Sequence, residues 1–201
     1  MPTPSDKYKN KENQIISTDT DYQFIGEDKL KTFGKTKDEK QLIMLGEKYW
    51  YLFDAKSSQE LSGILSMKLS KPFIRKEEKS KVIISDDGKT FSSAVELKYP
   101  VINQQEHTQL VNQGFMRSPE NLDYIFKKFE LKGNIYQSSP ELKIPNPFNP
   151  PLPIALYQTK NETNFNAGLL LKKIAMTPVA LVGDVLFLPW YAGHAVSQIV
   201  K

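Results

Sequence analysis

Apolar and polar positions alternate in short runs along most of this chain, and turn residues separate the runs, so the pattern predicts hairpins more than long helices. The strongest signal is Gln41 to Asp54. There Leu42 to Leu45 and Tyr49 to Phe53 flank Gly46-Glu47-Lys48, a short polar turn containing glycine. Lys81 to Tyr99 repeats the logic, with Val82-Ile83-Ile84 and Phe91 to Tyr99 flanking Asp86-Asp87-Gly88-Lys89, whose Asp-Gly supplies the positive φ of a tight turn. The two hairpins are expected to share one sheet, with Trp50, Leu52, Val95 and Leu97 among the inward residues. Phe129, Leu131, Gly133 and Ile135 alternate with Glu130, Lys132 and Asn134, which predicts a long strand from Tyr124 to Tyr136 after a short turn at 119–122. Tyr22 to Gly26 reads as a short first strand, Lys29 to Lys40 as a charged connection, and Ile154 to Gln158 as a last strand.

Helical signals are fewer. Ser57 followed by Glu60 matches a capping box and predicts a helix over 58–67, while Asn103 with Glu106 three residues on predicts a short helix through Val111 that Gly114 ends. Arg75 to Lys81 reads as a charged loop. Pro140 to Pro153 holds prolines at 140, 145, 147, 150, 151 and 153, a density that excludes a helix or a central strand and predicts an extended connection along the surface. The order hairpin, helix, hairpin, helix, strand predicts an α+β fold, an antiparallel sheet with helices on one face. Residues 1–21 read as a flexible polar leader and 22–201 as a single domain, long enough at 201 residues to bury a full core.

The most apolar stretch is Ile174 to Gly193, interrupted by one charge, Asp184. Thr177 is a good N-cap, Pro178 suits a first helical position and Pro189 cannot continue the ladder, so a helix over 178–188 packed on the sheet is the expectation. Two other readings stay open. Its length of about 20 residues would just cross a bilayer core, against Pro178, Gly183, Asp184 and Pro189, and its apolar side could cover a partner. Met176 to Trp190, Met-Thr-Pro-Val-Ala-Leu-Val-Gly-Asp-Val-Leu-Phe-Leu-Pro-Trp, resembles the apolar segment of small bacterial envelope lipoproteins of the YidQ/YceK type. That resemblance implies a place in the envelope and carries over no biochemical activity.

Charge and chemistry narrow the function classes. The net charge is +4, from 27 basic and 23 acidic residues, but Arg75 and Arg117 are the only arginines and no lysine cluster interleaves with aromatics. Nucleic acid is therefore not an expected partner. There is no cysteine, hence no disulfide, thiolate nucleophile or sulfur-ligated zinc. The sequence as given has no basic and apolar signal segment, so a lipobox cysteine is expected upstream of Ser5, with membrane association through that N-terminal lipid and a periplasmic location. His107 and His194 are the only histidines, and the nucleophile-elbow, zinc-protease, phosphate-loop and dinucleotide fingerprints are missing. Glu77-Glu78 and Asp86-Asp87 sit in charged loops. No residue is nominated as catalytic, metal-ligating or cofactor-binding. The expectation is a non-enzymatic envelope protein that binds and blocks a protein partner, as an immunity protein does a secreted toxin. A lipid or small-ligand carrier is the alternative, and a hydrolase using a carboxylate pair the second alternative.

Overall fold

The computed structural model describes residues 22–38, 40–75, 79–117, 121–140, 142–145, 147–159, 167–178, 181 and 185–187. Among them are ten strands: β1 (Tyr22–Thr36), β2 (Leu42–Gly46), β3 (Tyr49–Phe53), β4 (Ile74–Arg75), β5 (Ser80–Ile84), β6 (Thr90–Pro100), β7 (Met116–Arg117), β8 (Tyr124–Gln137), β9 (Leu152–Thr159) and β10 (Val185–Phe187). Three short helices accompany them, α1 (Ala55–Leu65), α2 (Gln104–Asn112) and α3 (Ala167–Lys173). Seven strands close on themselves in the order β6-β5-β9-β1-β2-β3-β8, with β8 returning to β6. Every pairing in the ring is antiparallel except β5 with β9, which is parallel.

This barrel corrects the α+β expectation of a sheet carrying helices on one face. Period-2 alternation reports which residues share a face and is blind to which strands meet. Here β6 and β8 pair antiparallel from Thr90 opposite Asn134 to Pro100 opposite Tyr124, and that seam turns the sheet back on itself. Closure removes the edges an open sheet would expose. With the inner face already covered by the opposite wall, the helices are left to seal it. α1 contributes Leu61, Ile64 and Leu65, and α2 contributes Leu110, to the same buried cluster that the strands line.

The three long strands each run past the end of one neighbour, and a short strand takes over the pairing. β10 follows β9 along β1, β4 follows β5 along β6, and β7 follows β3 along β8. The interior is filled by alternate residues, including Leu42, Met44, Tyr51, Phe53, Phe91, Leu97, Phe129, Leu131 and Ile135. Each fully buried side chain of this kind contributes about 1.5–3 kcal/mol of hydrophobic stabilisation. The opposite face of β2 and β3 is buried too, because Ile43, Leu45, Trp50 and Leu52 form a second cluster with Val185, against which Leu142, Ile144, Leu181 and Phe187 pack. Val95 and Leu97 thus face inward as expected, whereas Trp50 and Leu52 lie on the outer cluster. The continuous apolar runs of β2 and β3 carry no alternation from which to choose a face.

The predicted hairpin at 41–54 matches β2 and β3, Asn103 caps α2 by accepting from the Glu106 N–H, and the predicted strand 124–136 matches β8. Elsewhere boundaries move. β1 continues through the expected connection at 29–40: Asp28 and Leu30 turn inward with Lys29 outward between them, and past a register shift between Leu30 and Thr32 the inward place passes to Phe33. The helix expected at 58–67 begins at Ala55 and is capped by Asp54, which accepts from the Ser57 N–H at 2.8 Å. β4 and β5 occupy part of the supposed loop at 75–81, and β9 starts inside the Pro-rich stretch at Leu152. Within the helix predicted over 178–188, residues 185–187 form β10, paired with Gly34 to Thr36 of β1. Gly34 is needed there, since a Cβ on it would come within 2.8 Å of the Val185 side chain and 3.1 Å of the Leu186 carbonyl. Apart from Pro178, Leu181 and β10, the residues of 178–188, Asp184 among them, lie outside the described residues, as do His194 and the leader at 1–21.

Two buried carboxylates tie the barrel together. Asp28 accepts from the N–H groups of Lys29, Lys48 and Tyr49 and from the Tyr51 hydroxyl, at 2.8–3.1 Å, so β1 grips the turn between β2 and β3. Glu106 accepts from the Tyr99 hydroxyl at 2.6 Å and from the Ser70 N–H at 2.8 Å, fixing α2 to β6. Burial pushes the Tyr51 hydroxyl well above its ordinary value of 10, with the Asp28 charge and hydrogen bond adding to it. Burial, then the Glu106 hydrogen bond, pushes Tyr99 up to about 12. A folded-state pKa above the unfolded one gives stability that is full below the unfolded value and is lost as pH rises through the folded value. Chemical denaturation between pH 9 and pH 12 should therefore show a midpoint that falls from about pH 10 upward, with tyrosinate absorbance in the folded protein lagging that of free tyrosine. A midpoint that stays level across this range would contradict the buried hydroxyls.

Candidate functional site

Along one side of β6, pairing with β5 runs through Ser93 opposite Val82, and pairing with β4 resumes at Leu97 opposite Arg75. Ala94, Val95 and Glu96 lie between these two partners, at a gap in the wall's hydrogen-bond ladder. A cavity of about 300 Å³ occupies the place, lined by those three residues, Arg75, Ser80, and Lys128, Phe129 and Glu130 of β8. A second, apolar cavity of about 70 Å³ lies inside the barrel, bounded by Leu61, Ile64 and Leu65 of α1 and by the inward residues of the strands. Arg75, Ser80, Val95 and Phe129 line both. The interior therefore adjoins the wall gap through a shared set of side chains.

Arg75 is the unusual member. Directly opposite residues of an antiparallel pair share a face, and Leu97 is in the core, so β4 aims Arg75 inward; the residue is only 5% exposed. Burial lowers the pKa of its guanidinium from the ordinary value, although arginine keeps its charge in proteins. Ser93 also points inward and donates its hydroxyl to the Lys81 carbonyl at 2.6 Å. On the outer rim, Glu96 lies 3.9 Å from both the Lys98 and Lys128 ammonium groups, with its own side chain 12% exposed. The rim thus mixes both signs, while the positive charge of the inner wall comes from Arg75.

A larger open cleft, about 790 Å³, runs over parts of β3, β5, β6 and β8 and brings Asp54 and Asp86 to one depression with Lys132 and Asn134. Both carboxylates already have structural duties. One Asp54 oxygen caps α1, and one Asp86 oxygen accepts from the Gln158 amide at 2.8 Å. Among the described residues no three His, Cys, Asp or Glu side chains gather to hold a metal ion. His107 sits on α2 with its Nε2 buried and without a hydrogen-bond partner among the described residues, and Asp87 holds its turn by accepting from Ser85 and Lys89. Glu77-Glu78 lies outside the described residues. No described helix is long and apolar enough to cross a membrane.

In the sequence Arg75 is masked by its charge-rich surroundings, Arg-Lys-Glu-Glu-Lys. The one available signal was arginine's rarity in a chain whose other cations, Arg117 apart, are lysines.

A family model described as the YidX N-terminal domain matches residues 17–159, which takes in β1 to β9 and both cavities. That span ends before Met176 to Trp190, and it corrects the resemblance to YidQ/YceK-type lipoproteins. A stretch of fifteen mostly apolar residues matches on composition easily, and the envelope placement drawn from it loses that support. No curated protein matches the chain, and no solved structure does. The chain belongs to the YidX N-terminal domain family.

Proposed function

We propose that this member of the YidX N-terminal domain family is a non-enzymatic binding protein that takes a small ligand through the wall of its barrel. The observation that carries the reading is the shared lining of Arg75, Ser80, Val95 and Phe129, which joins an apolar interior cavity to a gap in the strand ladder. Ligand sites are concave and mostly apolar with a few convergent polar groups, and the mouth of a small barrel is a common place for one. Asp54, Asp86 and Asp87 hold local structure through hydrogen bonds, Glu96 is paired with Lys98 and Lys128, and His107 lines neither cavity, which favours binding over acid–base turnover.

A protein partner is the second reading. Val101, Ile102, Met116 and Leu122 are large apolar side chains left 39–69% exposed, on segments that neighbour one another where the Val101 N–H meets the Asp123 carbonyl. They lie on the segments around α2 and β7, apart from the cavity lining.

Thermal unfolding of the full chain against a panel of small amphiphiles tests the first reading. Ligands that enter the barrel should raise the wild-type midpoint and leave Val95→Trp, which fills the shared lining, unmoved. Equal responses from the two proteins across the panel would place any binding elsewhere and sink the reading.

A further inference from the structure

We infer that this site selects an amphipathic anion, with a carboxylate or phosphate head held by Arg75 and a short apolar tail inside the barrel. The inference rests on the small-ligand reading above and names its chemical class.

A guanidinium set among Val95, Leu97 and Phe129 is costly unless matched by an anion or by hydrogen bonds. Arg75 does make a contact of its own within the protein. Its five N–H donors form a planar fork that fits carboxylate or phosphate oxygens two at a time, so an internal partner and an incoming anion can share it. Position adds to chemistry. Arg75 lines both the wall cavity and the interior, so an anion at the gap meets it and a tail continuing inward meets Val82, Leu97, Leu131 and Ile154. Ser93 already donates to the Lys81 carbonyl, which leaves Ser80 as the hydroxyl of the shared lining. A neutral polar head could hydrogen-bond there but would gain nothing from the Arg75 charge.

Size sets the tail. At about 70 Å³ the interior is roughly half the ~150 Å³ of an engineered apolar cavity that admits benzene. The interior takes about three carbons of a tail, and a six-carbon chain fits with its remaining methylenes in the adjoining wall cavity. A long-chain lipid would have to leave most of its length in the wall cavity, where Glu96, Lys128 and Glu130 line the exit.

Calorimetric titration of the full chain with hexanoate, hexyl phosphate, hexanol and palmitate tests this. One or both short anions should bind at least about tenfold more tightly than hexanol, a difference of about 1.4 kcal/mol, and more tightly than palmitate. Whichever anion binds more tightly identifies the head. Arg75→Gln should remove that advantage and leave hexanol unchanged. Should this variant fail to fold, Arg75→Lys keeps the charge without the fork and should weaken the anions severalfold, again sparing hexanol. Hexanol binding as well as the anions, or anion affinity indifferent to Arg75, would overturn the anion class while the small-ligand reading stands. Palmitate binding as tightly as hexanoate would overturn the short tail. If none of the four binds, the inference fails, and the wider panel with Val95→Trp decides the reading beneath it.

Discussion

Gly133→Ala is expected to destabilise the barrel by about 3 kcal/mol or more, the upper range for overpacking against an unyielding neighbour. Gly133 lies opposite Phe53 of β3 on one side and opposite Phe91 of β6 on the other. The rings of Phe53 and Phe91 meet edge to face at 5.4 Å across the intervening strand. A Cβ at Gly133 would run into the Leu52 carbonyl oxygen and come within 2.8 Å of the Leu52 carbonyl carbon and the Phe53 Cα, all of them backbone. A side chain in the way can rotate, but a strand must shift and give up ladder bonds. Those bonds join β3 to β8 within the closed ring, so the loss spreads through closure. Denaturant titration measures the effect, and Gly63→Ala supplies the comparison. There the nearest atoms belong to the flexible Gln113 side chain, and alanine favours the helix by about 1 kcal/mol, so the change should be small. A Gly133→Ala protein with wild-type stability would show that β3 and β8 do not approach this closely.

Asp28→Ala should cost about 3–5 kcal/mol, the range seen when one partner of a buried charged network is removed. Each Asp28 oxygen accepts two hydrogen bonds, one from the Lys29 and Lys48 N–H groups, the other from the Tyr49 N–H and the Tyr51 hydroxyl. Alanine would strand three backbone donors and a tyrosine hydroxyl in a site where Asp28 is 2% exposed. Asp28→Asn should cost less, about 1–3 kcal/mol, because one oxygen survives while the new amide nitrogen faces donors it cannot satisfy. It should also bring the Tyr51 hydroxyl nearer its ordinary pKa, since the neighbouring charge is gone. Gly46 belongs to the same arrangement: a Cβ there would collide with the Asp28 carboxylate. Ala and Asn variants that unfold together with wild type would mean the hairpin turn is held some other way.

Local pattern alone determined much of this protein. The β2–β3 turn, the strand of β8 with its dry face of Phe129, Leu131 and Ile135, and the Asn103 cap of α2 all follow from interactions within a few residues of sequence. Such interactions are written where they act. Composition likewise ruled out disulfide and thiolate chemistry, since the chain has no cysteine. What only the tertiary structure decided is how distant segments meet. Nothing in Thr90 to Pro100 says that it will pair with Tyr124 to Gln137 and close a ring, because a strand's alternation records burial and not the identity of its neighbour. The continuous apolar runs of β2 and β3 were legible as strands, yet which of their residues face the interior depended on Val185 and its surroundings covering the other side. The candidate site was the least legible part. Arg75 looks from its neighbours like one more loop cation, and it points into the barrel only because β4 takes up the β6 ladder opposite Leu97 after β5 has left it.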